Sequence, residues 1–240
     1  MGFDRLRIKS NARLFYKNNT GMSIVVPLIQ MMITGAASIA AYIIISVFAV
    51  VTAKDSGVVT AMTLLTYPVI IIANLAAAPI MIGTMGWFRK SIYYNTSVSE
   101  VFAYYGNGRL WSSVGTVFLM GLYIYLWSLL FLIPGIIKGY SYSQTLFIKA
   151  ENPDIPASRA IELSKIMMEG HKWDVFILHC SFLGWLLLSA ITYNIVGIVY
   201  VYPYYYAALA FAYEEIKMDA ASRGVINIAE IMGDAVPMQQ

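Results

Sequence analysis

Arg5, Lys9, Arg13 and Lys17 follow one another at intervals of four residues, beside an apolar stripe of Ile8, Ala12 and Phe15. On a helix this pattern sets a row of positive charge next to an oily face. Like charges at that spacing destabilise an isolated helix. A surface of anionic lipid reverses the penalty, at about 1 kcal/mol per basic residue. The chemistry written here is attachment to the inner leaflet by an interfacial helix. The plainer alternative is that these charges only direct insertion.

A second group joins Pro134 and Gly135 to the polar run Ser141, Tyr142, Ser143, Gln144 and Thr145. Irregular backbone and clustered hydroxyls are tolerated at membrane depth only when buried in protein or facing water. The run therefore lines a cavity or closes a tight hairpin whose hydroxyls bond nearby carbonyls. Tyr200, Tyr202, Tyr204, Tyr205 and Tyr206 surround Pro203, either as interfacial residues or as an aromatic wall. A candidate cavity follows, bounded by Pro134, Gly135, Ser141, Ser143, Gln144, Tyr202, Pro203 and Tyr205. Pro68 and Pro79, with Asn74 between them, break another apolar run. Such breaks mark binding sites in transporters or are kinks mended by neighbouring helices. His179 is the one ionisable group well inside an apolar run, and a bond to a backbone carbonyl is its simplest use.

No G-x-x-x-x-G-K-[ST], H-E-x-x-H or G-x-S-x-G motif is present. Cys180 is alone, and His171 and His179 lack the ligands that complete a zinc site. Catalytic, metal and cofactor residues are accordingly not expected, and nothing points to an enzyme or a nucleic-acid partner.

These residues need a membrane to position them. Of the 240 residues, 59% are apolar and 12% charged, with a mean hydropathy of +0.67. Soluble domains carry about 45–50% apolar and about 25% charged residues. Apolar runs cover residues 22–51, 58–85, 111–133, 136–150, 173–193 and 195–213, and a crossing takes about 20 residues. The run 136–150 is short, and charge decides its reading. If it crosses, fourteen of the sixteen Lys and Arg fall on the cytoplasmic side, leaving only Lys54 and Lys138 outside. If it does not, the basic residues divide evenly. The expectation is an all-α polytopic bundle of about six transmembrane helices, one short. Amphipathic helices at 3–17, 97–105 and 156–170 lie on its cytoplasmic face. Ser97 and Glu100 read as a capping box. Residues 1–216 form a single domain with an amphipathic segment at 1–20, and 217–240 form a cytoplasmic tail. Both termini are placed inside.

Four motifs resemble a known family. They are Ile133-Pro134-Gly135-Ile136-Ile137-Lys138-Gly139-Tyr140-Ser141-Tyr142-Ser143; Ser158-Arg159-Ala160 running on to Met167-Met168-Glu169-Gly170-His171-Lys172-Trp173; Phe182-Leu183-Gly184-Trp185; and Tyr202-Pro203-Tyr204. Their order is similar to that in a bacterial integral membrane family, domain of unknown function 975, over about residues 79–215. The resemblance implies a bacterial cytoplasmic-membrane protein and carries over no catalytic or ligand residue. Two function classes remain. One is a non-enzymatic transport component for a peptide or amphiphile, alone or beside an ATPase subunit. The other is an interaction or immunity-type protein that stabilises or inhibits another membrane complex.

Overall fold

A computed structural model describes residues 3–52, 64, 68–72, 74–106 and 108–233. The turn expected at Lys54-Asp55-Ser56-Gly57, much of the second apolar run and the last part of the tail lie outside the described residues. Among the described residues every regular element is helical. The helices are α1 (Arg5–Asn18), α2 (Thr20–Thr52), α3 (Ala78–Ser91), α4 (Arg109–Leu130), α5 (Leu132–Ser141), α6 (Thr145–Glu151), α7 (Ala157–Met167), α8 (Lys172–Cys180), α9 (Leu183–Ile191), α10 (Tyr202–Ser222) and α11 (Ile228–Met232).

Three helical stretches are long and apolar enough to cross a membrane: Thr20–Phe48, Arg109–Leu130 and Lys172–Ile191. Pro68–Ala76 and α3, bent by 42°, make a fourth if taken as one span. Of the other two expected crossings, one is a broken helix and the other a helix that contains a π turn. Residues 136–150 divide between α5 and α6 around a turn at 142–144. Together these two helices run back along the whole of α4. A Cβ on Gly135 would lie 2.0 Å from the Ser128 hydroxyl, so only glycine lets α5 leave α4 this closely. Further along, the Tyr142 ring sits 6.3 Å from Tyr123. At the end of the arm, the Lys149 ammonium reaches the Ser112 hydroxyl at 2.7 Å.

The last apolar run enters α10 through a π turn, Gly197–Val201. Pro203 has no N–H to give back to the preceding turn, where the carbonyl of Val199 lies. The Tyr16 hydroxyl donates to it at 2.8 Å. This bond lays α1 across α10. Asp4 starts α1 by accepting from the Leu6 and Arg7 amides, and Ile8, Ala12 and Phe15 are buried as the stripe predicts. They share a core with Trp87 and Phe88 of α3, Phe147 and Ile148 of α6, Leu163 and Met167 of α7, and Tyr204 and Tyr213 of α10. Large apolar side chains point outward elsewhere: Met32, Ile39 and Ile44 on α2, Phe118, Tyr125 and Leu129 on α4, Leu183 and Leu187 on α9.

Two expectations for residues 97–105 are altered. Ser97 accepts from the Ser99 amide, but Glu100 turns away to the Lys90 ammonium at 2.6 Å, so the capping box is only half made. A short 3-10 turn, Val98–Phe102, replaces the helix expected there. Its Val101 carbonyl presses on Gly83, where a Cβ would come within 1.9 Å. Residue 217, the first of the expected tail, is a buried lysine inside α10.

Candidate functional site

A cavity of about 930 Å³ opens where the chain's basic loops gather. Its walls come from the end of α3, the 3-10 turn, the start of α4, the Glu151-Asn152-Pro153-Asp154 loop, α7 and α11. Both signs of charge line it. Arg109 stands 3.9 Å from Asp154. The Arg159 guanidinium holds Glu230 at 2.6 Å and Glu162 at 2.8 Å, and its bond keeps the Glu230 carboxyl below the usual range. Asn152 donates to the Glu230 carbonyl at 3.0 Å, so α11 is fastened over one rim.

Behind this cleft lies a buried charge network. Arg89 bonds Glu151 through Nη2 and Glu214 through Nε. Lys217 meets Glu151 at 3.1 Å and Glu214 at 2.9 Å. Tyr213 donates to Glu151 and Tyr93 to Glu214. Two cations and two carboxylates cancel, which permits burial that would be prohibitive for any one of them. Near it, Lys149 is fully buried with no carboxylate partner among the described residues, its ammonium held by Ser112 and by the Ile155 carbonyl at 2.6 Å. In the sequence Arg89 and Glu214 lie just beyond the ends of two apolar runs, with nothing local to say that they meet. The available signal was the i, i+3 pair Glu214 and Lys217 on a largely apolar helix.

The residues nominated from sequence are divided among three places. Gly135 and Ser143 line a hollow of about 380 Å³ with Ser128, Tyr140 and His179. Ser141 donates back to the Ile137 carbonyl and Ser143 to the Tyr140 carbonyl. The Gln144 amide nitrogen reaches Ser143, while its Oε1 and the buried Thr145 hydroxyl have no partner among the described residues. Pro134 stays at the hairpin turn, partly exposed. Tyr202 lines a separate hollow of about 500 Å³ and donates to Asn194 at 2.8 Å. Pro203 is buried in α10. Tyr205 touches the hairpin through His179, whose ring lies 5.7 Å from Tyr205 and 5.5 Å from Tyr140. His179 itself bonds the Val175 carbonyl at 2.8 Å. Asn74 bridges to Ser38 of α2 at 3.2 Å.

Of the stripe on α1, Arg5, Arg13 and Lys17 are exposed and Lys9 is half-buried against Ser181. Near the other end of the same face, His171 is held between Asp219 at 3.0 Å and Asp174 at 3.4 Å. The His171 bond holds the Asp219 carboxyl below its ordinary range.

Neither the comparison with curated proteins nor that with solved structures finds a match. All four motifs that carry the resemblance fall inside one matched stretch: residues 112–220 match the family described as Protein of unknown function (DUF975).

Proposed function

We infer that the chain is a non-enzymatic binding protein of the bacterial cytoplasmic membrane, which engages another membrane protein at the charged cleft. One observation carries this reading. The polar cavity large enough for a peptide segment sits at the face where basic loops collect, whereas the hollows near the apolar hairpins are small and separate. A cleft with both charge signs suits a partner segment with both signs, since complementary charges select partner and register. The apolar helices then serve as the anchor, in a six-crossing arrangement with both ends inside and anionic lipid around α1. The transport reading rests on a different feature, the hollow around His179 between Tyr140 and Tyr205, with any ATP-driven step left to a second protein.

A photo-crosslinker at Asp154, whose side chain is 81% exposed on the cleft rim, tests the choice. The expected result is one defined protein adduct that disappears when Arg109 and Arg159 are replaced by Gln. No adduct, together with chain-dependent movement of an amphiphilic peptide into vesicles, would put transport ahead.

A further inference from the structure

The charged cleft already holds a segment of its own chain. Beyond Ser222 the backbone turns at Gly224, whose φ of +69° glycine adopts freely, and α11 then forms part of the cleft wall. Asn227 starts α11 by accepting from the Ala229 amide. Three contacts hold it in place. Both oxygens of the Glu230 carboxylate meet the Arg159 guanidinium, Oε1 on Nε at 2.6 Å and Oε2 on Nη2 at 3.0 Å. A fork-to-fork pair of this kind fixes direction as well as charge. The Glu230 carbonyl takes the Asn152 amide, and the fully buried Ile231 side chain joins the core to which Ile155 belongs. A five-residue helix with so few anchors opens at far lower cost than the long helices behind it.

Among the described residues, four carboxylates and four basic side chains line the cleft, so its charge balances only while Glu230 is counted. Lifting α11 away leaves Glu162 on Nη1 of Arg159 and frees Nε and Nη2. It also uncovers the place where Ile231 was buried. An acidic turn with an apolar neighbour fits what is then exposed. We propose, on the reading that the cleft is where a partner docks, that α11 is the resident occupant of that docking place. The partner's segment is a helical turn of the same chemistry, with one carboxylate for Arg159 beside an apolar side chain, and it displaces α11 on binding. A cation elsewhere on that segment meets Asp154, whose side chain is exposed with α11 in place. The two segments compete for one guanidinium. Because α11 competes from within the chain, at high effective concentration, it sets how well a partner must bind to replace it.

The test uses the full chain in nanodiscs, with a fluorescent peptide of the sequence of residues 224–233 as the probe. Hydrogen exchange at residues 226–233 reports whether α11 is seated. Glu230→Gln speeds that exchange and tightens peptide binding about tenfold over the parent, because the resident carboxylate no longer competes. Arg159→Gln speeds the exchange as well but loses the gain in binding, because both segments need the same guanidinium. A merely structural contact cannot give opposite effects on binding from the two halves of one ion pair. A peptide that itself carries Glu230→Gln binds the Glu230→Gln chain about tenfold more weakly than the parent peptide does. Binding that needs Arg159 but is equal in the parent and Glu230→Gln would leave the cleft a docking place and overturn the role of α11. Unchanged exchange in both variants would make α11 a fixed wall and overturn it too. Faster exchange with no Arg159-dependent binding by any chain would overturn the proposed occupant; the docking reading falls with it only if the Asp154 crosslink is also absent.

Discussion

Glu151 and Glu214 are the residues on which the inner half of the molecule closes. They sit on different helices, and between them they accept from Arg89, Lys217, Tyr93 and Tyr213. Carboxylates taken from water keep their charge only when such donors replace it. Removing one member leaves a net buried charge, and this costs more than the pair contributes. Glu151→Gln keeps the shape but strands a positive charge, so it should destabilise the protein by about 3–5 kcal/mol. Adding Lys217→Met restores neutrality and should recover most of that loss. Unfolding by denaturing detergent, from mild detergent, measures both variants. A double variant no better than the single one would show that Glu151 matters through shape. At this scale the sequence was half legible. Each charged residue could be read as lying near the end of an apolar run. Which charges meet depends on how α3, α6 and α10 pack, and no local spacing encodes that.

Among the elements, α1 shows how a local rule becomes a long-range bond. Pro203 stands out in sequence because it breaks an apolar run, and its lack of an N–H follows from covalent structure alone. The donor to the Val199 carbonyl could not be foreseen: it is Tyr16, 183 residues from Val199 in sequence. The apolar stripe of Ile8, Ala12 and Phe15 was legible because burial obeys the helical period. The capping box at Ser97 misled because Lys90 outbids the Ser97 amide for Glu100, a charge against a neutral donor. The Tyr16 bond gives a direct test. Tyr16→Phe removes this bond and should cost about 0.5–1.5 kcal/mol. In a Pro203→Ala background the backbone regains an N–H at that position, which can serve the Val199 carbonyl, so the same change should cost much less. Additive effects in this double-mutant cycle would mean that Tyr16 acts through ring packing with Tyr200 rather than through its hydroxyl.

For the whole molecule, the ion pairs constrain topology independently of the count of basic residues. The Asp4 amide and the Arg7 guanidinium both bond Glu215, so the start of the chain and the end of the last long helix share one side. Arg89, Glu151 and Glu214 meet in one cluster, so residues 89, 151 and 214 share it too. A chain that returns to the same side has crossed an even number of times. On the six-crossing arrangement proposed above, the chain leaves and returns to one side between these anchors, and these bonds support that reading over five crossings. The return of α5 and α6 along α4 meets this rule without needing one long apolar helix. Single cysteines in a Cys180→Ala background separate the remaining cases. Asp154 is preferable to Asn152 on the inner loop, since Asn152 is engaged with Glu230. Tyr193, at the turn between α9 and the π turn, is 94% exposed and reports on the far end. The prediction is that an impermeant thiol reagent labels Ser56→Cys and Tyr193→Cys in intact cells, and Asp154→Cys only after permeabilisation. Labelling of Asp154→Cys from outside would break the shared side on which the argument stands. A Tyr193→Cys that labels from neither side would make α9 and the π turn a re-entrant hairpin, leaving at most four crossings.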